Sequence, residues 1–106
     1  MDITIEQAQR VIELLKEEKL KAFTSHKFIG TFIKLYESDY IEMLVEYKNK
    51  QTPKIFREIH RQMACFLRDN QKALGISLNG ELKDMNIHHL KTECKNWDLT
   101  VTTSSF

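Results

Sequence analysis

Between Pro53 and Gly75 the apolar residues recur at a spacing that only an α-helix places on one side. They are Ile55, Phe56, Ile59, Met63, Phe66, Leu67, Ala73 and Leu74. At about 100° per residue, five basic residues fall in an arc of roughly 60° on the other side: Lys54, Arg57, Arg61, Arg68 and Lys72. A segment of this kind must bury one side and solvate the other. It is expected to be the longest helix and the centre of the fold, with Phe56, Ile59, Met63, Phe66 and Leu67 in the core.

The rest of the chain is short of turn formers. There are three glycines and one proline in 106 residues, and a β-rich domain needs many more tight turns than these allow. The hydrophobic fraction, 42%, is ordinary for a globular protein. The expected fold is therefore mainly α: a single domain of four to five helices, with a short β-hairpin or extended segment near the C-terminus.

Element boundaries follow from local signals. Thr4 with Gln7 three residues on forms a capping-box pattern, which starts a first helix at about Ile5 and carries it to Lys19. Ser25 reads as the N-cap of a second helix with an apolar side of Phe28, Ile29, Phe32, Leu35 and Tyr36. Gly30 in that helix either weakens it or admits a close neighbour. Ser38 reads as the cap of a third helix, buried through Tyr40, Ile41, Leu44 and Val45. Thr52-Pro53 sets the start of the fourth helix, and Gly75 its stop after about six turns. Asn79-Gly80 carries the signature of a two-residue hairpin turn. Asn86 would cap a last helix to about Lys95, with Ile87, Leu90, Cys94 and Trp97 on one side. The alternation from Trp97 to Thr102 predicts an extended segment after it.

Net charge is +1, so global charge selects no partner class, but its distribution is uneven. Residues 48–72 hold seven basic residues against Glu58 and Asp69. Asp39, Glu42 and Glu46 share one side of the third helix, and could meet the basic side of the fourth within the fold or in a weak homo-oligomer. The basic stripe predicts an anionic partner, either nucleic acid or an acidic protein surface. Helices followed by a hairpin also give the order of a winged helix-turn-helix, a DNA-binding module, with the fourth helix in the recognition position.

Catalytic and metal signals are weak. Cys65 lies one turn from Arg61 and from Arg68, surroundings that favour a thiolate, yet no local motif supplies a base. Cys94 reads as core. His89 and Glu93 are four apart, but no Cys-x-x-Cys or His-Glu-x-x-His pattern accompanies them. His60, at the edge of the apolar side, is expected to hydrogen-bond there. No glycine-rich phosphate loop exists. No enzyme, cofactor or metal is expected. No apolar run approaches the roughly 18 residues of a membrane span, so membrane association is not expected. With no leader pattern at Met1-Asp2, the expected setting is cytoplasmic, with reduced thiols.

Overall fold

The computed structural model describes residues 3–18, 21–51, 53–85 and 91–99; in 81–85 and 91–94 it is the backbone that is described. The protein is mainly α. Its elements run α1 (Ile5–Glu17), β1 (Ala22–Thr24), α2 (Ser25–Leu35), α3 (Glu37–Asn49), α4 (Ile55–Asp69), α5 (Gln71–Leu74), β2 (Ile76–Met85) and β3 (Lys91–Leu99). The three strands form one antiparallel sheet of order β1-β3-β2.

α1 starts as its sequence predicts. Thr4 Oγ1 accepts from the Gln7 backbone N–H at 3.1 Å, and Gln7 Oε1 accepts from the Thr4 N–H at 3.1 Å. Ala8, Val11, Ile12 and Leu15 are buried on one side. They pack with Phe28, Ile29 and Phe32 of α2 in a single hydrophobic cluster that also takes in Trp97 and Leu99 of β3. Phe23, Phe28, Phe32 and Tyr36 form a run of aromatic contacts through it, with successive centroids 6.2, 6.5 and 5.3 Å apart. α3 and α4 complete the core with Tyr40, Met43 and Tyr47, and with Ile59, Met63 and Leu67.

Several boundaries differ from those the sequence predicts. Thr24, not Ser25, caps α2: its Oγ1 accepts from the Lys27 N–H at 3.1 Å. Ser25 is instead buried, and its Oγ accepts a hydrogen bond from Trp97 Nε1 at 2.9 Å. Helices α2 and α3 are separate, but they break at Tyr36 (φ −122°, ψ 53°) and Ser38 does not cap α3. That start turns α3 so that Met43 and Tyr47 face inward, leaving Ile41 and Val45 exposed at 52% and 51%. A Cβ on Gly30 would meet nothing within 4 Å, so this glycine admits no close neighbour.

α4 begins at Ile55 with Lys54 at its N-cap, not at Thr52-Pro53; Thr52 lies outside the described residues. Nor does the helix run unbroken to Leu74. Asn70 leaves helical geometry (φ −123°, ψ 26°), and its side-chain amide donates to the Phe66 carbonyl at 2.8 Å. The Asn70 backbone N–H still donates to the same carbonyl at 3.1 Å, so the side chain adds a local bond that holds Asn70 in its non-helical conformation at the end of α4. α5 then resumes for one turn, and Gly75 stops it in the left-handed region at φ +66°. Phe56 is 44% exposed and Phe66 only half-buried, so neither is the core residue its apolar character predicts.

The Asn-Gly pair does not make a hairpin turn. β2 runs through it with one extra residue between Leu78, opposite Trp97, and Glu81, opposite Lys95. Gly80, at φ +73°, supplies the conformation such a bulge needs. Asn79 Nδ2 donates to Asp98 Oδ1 across it at 3.1 Å. The predicted helix ending at Lys95 is overturned: Lys91–Leu99 is a strand, held by β2 on one edge and by β1 on the other. β2 pairs along the strand and β1 adds a second ladder at Asn96–Asp98, and burial of Trp97 and Leu99 on one face replaces the helical stripe read through Cys94 and Trp97. Residues 86–90 lie outside the described residues, as do the side chains of Glu93 and Cys94. Beyond Lys95 no third strand pairs with β3 among the described residues, and β2 and β3 continue as a two-stranded ribbon to Met85 opposite Lys91.

Candidate functional site

α4 is amphipathic along its whole length, and this positions the site. Ile59, Met63 and Leu67, at helical spacing, anchor it in the core. Arg57, Arg61 and Arg68 are thereby turned outward, and all three are exposed. Lys54 is exposed at the N-cap. Lys72 is also exposed, but it sits on α5 beyond the break at Asn70. The rod that carries the three arginines is 15 residues long, about 22 Å.

Two of the arginines are engaged by carboxylates of their own helix. Arg61 forms an ion pair with Glu58, one turn back, and Arg68 Nε donates to Asp69 Oδ1 at 3.0 Å. The hydrogen bond from Arg61 holds the Glu58 carboxyl below the usual carboxylate range, and the same bond raises the Arg61 guanidinium. The bond to Asp69 raises Arg68 likewise. Among the described residues no ion pair engages Lys54, Arg57 or Lys72. Exposed pairs of this kind contribute little to stability, and their arginines can exchange a carboxylate for another anion at small cost. The partners of Arg61 and Arg68 come from α4, and two of the three carboxylates on the acidic side of α3 are tied elsewhere. Asp39 accepts from Gln7 Nε2 of α1 at 2.6 Å, and Glu46 meets Lys50 at 3.4 Å.

Two features here were not legible in the sequence. One is a cleft of about 510 Å³ between α3 and α4, lined by Met43, Tyr47, Met63, Cys65 and Phe66, with Arg61 and Asp69 among its polar residues. The half-buried Cys65, a free thiol, opens onto it. The i, i+4 pair Met43 and Tyr47 was the available signal, hidden by the apparent match of Ile41 and Val45 to the buried side. The other is the pairing of Tyr40 with His60. Tyr40 Oη and His60 Nε2 are hydrogen-bonded at 2.7 Å, with ring centroids 5.9 Å apart. Phe56 lies 6.1 Å from the same imidazole. Burial pushes the Tyr40 phenol up to about 12. His60 thus has the edge-of-core role its position predicts.

Among the described residues no group of three or more His, Cys, Asp and Glu could hold a metal ion. His88 and His89 lie outside them. No helix among the described residues is long and apolar enough to cross a membrane. No family model, no curated protein and no solved structure matches the chain.

Proposed function

We propose that this protein is a non-catalytic interaction or regulatory module whose working surface is the basic outer face of α4, and that its partner is anionic. One observation carries this reading. Lys54, Arg57, Arg61, Arg68 and Lys72 are all exposed, while the helix that presents the three arginines is fixed from the opposite side by three buried apolar residues. A charged surface on a rigid, core-anchored helix keeps its geometry when a partner arrives, so little ordering entropy opposes binding. No cofactor or metal enters this reading. A weak homo-oligomer, in which acidic α3 of one copy faces basic α4 of another, is the competing use of the same charges.

A narrower reading, a DNA-binding module of winged helix-turn-helix type, is supported by the order of elements. A short strand between α1 and α2 pairs with the second of two antiparallel strands that follow the basic helix. Retention on heparin, a generic polyanion, tests the broader proposal. The triple variant Arg57→Gln, Arg61→Gln, Arg68→Gln should elute at clearly lower salt than the wild type with the same thermal midpoint. Equal elution would remove α4 as the working surface.

A further inference from the structure

Resting on the reading that α4 presents the working surface, we infer that its partner is duplex DNA in the B form, held mainly through its phosphates. The distribution of exposed apolar groups carries this choice. A protein partner normally buries an apolar, aromatic-rich centre. The described exposed large apolar residues are Leu35, Ile41, Val45, Phe56 and Leu78. Four of them are on other elements. Phe56, in the first turn of α4, lies about 100° around the helix from Arg57 and packs near His60. The arc of Arg57, Arg61 and Arg68 thus carries no exposed large apolar side chain of its own, and the apolar cleft that Arg61 borders lies on the α3 side of it. Interfaces with nucleic acid are the more polar and more cationic kind.

The same map separates duplex from single strand. Binding to single strands relies on aromatic platforms for base stacking. No aromatic side chain shares the arc of the arginines: Phe66 points to the core side and the cleft, and Tyr47 is buried. Guanidinium groups match phosphate oxygens in bidentate geometry. Arg57 and Arg61 are one turn apart and Arg68 two turns further, so they run along one side of a convex rod. With side chains an α-helix is about 10–12 Å across, and the major groove of B-DNA, about 12 Å wide, admits it. The major groove of A-form RNA is too deep and narrow for side chains to read. The sequence of β2 and β3 holds three lysines, Lys83, Lys91 and Lys95, against four carboxylates, Glu81, Asp84, Glu93 and Asp98, so these strands add no net positive charge. The electrostatic contribution thus rests on α4 and its flanking lysines.

Fluorescence anisotropy with four labelled probes tests this: a 20-base-pair DNA duplex, the same sequence as duplex RNA, one DNA strand alone, and a poly-glutamate peptide. The DNA duplex should bind at least tenfold more tightly than each of the others. Its affinity should fall about 40-fold between 50 and 200 mM salt if the three arginines each release one phosphate counterion, and about 500-fold if Lys54 and Lys72 also contribute. In the Arg57→Gln, Arg61→Gln variant the 40-fold loss should shrink to about fourfold. The Lys34→Gln variant, which removes an exposed charge on α2, should keep the wild-type salt slope. Circular dichroism confirms that each variant is folded. Equal or tighter binding of poly-glutamate or single strand would overturn the inference while leaving α4 as the surface. A DNA salt slope unmoved by the arginine variant would overturn it as well. Failure of every probe, heparin included, would overturn the underlying reading too.

Discussion

Removing the hydroxyl of Ser25 should cost far more than a serine in the first turn of a helix ordinarily does. Ser25 is 4% exposed and Trp97 fully buried. Their 2.9 Å hydrogen bond joins the start of α2 to the strand at the centre of the sheet. In the Ser25→Ala variant the indole N–H keeps its burial and loses its acceptor. A buried donor left in this state costs about 1–3 kcal/mol. A domain of this size is stable by only about 5–15 kcal/mol, so the midpoint should fall by at least about 4 °C. Urea denaturation followed by far-UV circular dichroism reads this in every variant, including those that lack Trp97, the sole tryptophan. The cap of α2 belongs to Thr24, so Ser25→Ala leaves it in place, and Thr24→Ala should cost about 1 kcal/mol by a separate route. A double-mutant cycle with Trp97→Phe isolates the bond. Once the indole N–H is gone, Ser25→Ala should cost much less, a coupling of about 0.5–3 kcal/mol. A loss below about 0.5 kcal/mol in the wild-type background, or an equal loss in both backgrounds, would refute the reasoning.

Met63→Ala should cost about 2–5 kcal/mol, since the side chain is 1% exposed in the core, whereas Phe56→Ala should cost less than half as much; denaturant midpoints compare the two. Gly75→Ala should destabilise by about 1–2 kcal/mol because its φ of +66° is left-handed, although a Cβ there meets nothing within 4 Å. Gly30→Ala, in open space inside α2, should instead stabilise by about 0.5–1 kcal/mol, and the opposite order of melting midpoints would contradict both. The Tyr40 phenol is raised in the fold to about 12 from an ordinary value near 10, so the fold favours its protonated form. That contribution is complete below pH 10 and is lost as pH rises through 12. One tyrosinate absorbance step should therefore be delayed to about pH 12, and a Tyr40→Phe variant should lack it.

What could be read from the chain depended on whether a signal was local. The capping box of Thr4 and Gln7 and the left-handed stop at Gly75 are set by a few adjacent residues, and both hold in the fold. The outward arginines were legible because burial of Ile59, Met63 and Leu67 determines where the rest of α4 must point. Asn70 was not legible as a break. Its side chain can face water or bond back to Phe66, and the choice follows from where α5 must pack. Asn79-Gly80 suits a hairpin turn and a bulge equally, and the partner strand decides between them. The stretch to Lys95 has a helical stripe, yet β2 offers the backbone of Lys91–Lys95 a ladder and β1 pairs with the residues just after it, and those contacts are not contained in a helical periodicity. The cleft between α3 and α4 and the pair of Tyr40 with His60 depend on how two helices are set against each other. Periodicity within one helix does not contain that information.

Binding of a duplex to α4 is tested most directly by an amide NMR titration of the full chain with the 20-base-pair DNA. Shifts should concentrate on Arg57, Arg61, Cys65 and Arg68, with smaller changes at Lys54 and Lys72. The amides of Ala8, Val11, Phe28 and Trp97, deep in the core, should stay in place. The α4 shifts should reverse on raising salt from 50 to 200 mM, as phosphate contacts require. Shifts confined to Ile41 and Val45 on α3, or a spectrum unchanged at saturating DNA, would contradict the assignment of α4 as the surface that binds DNA.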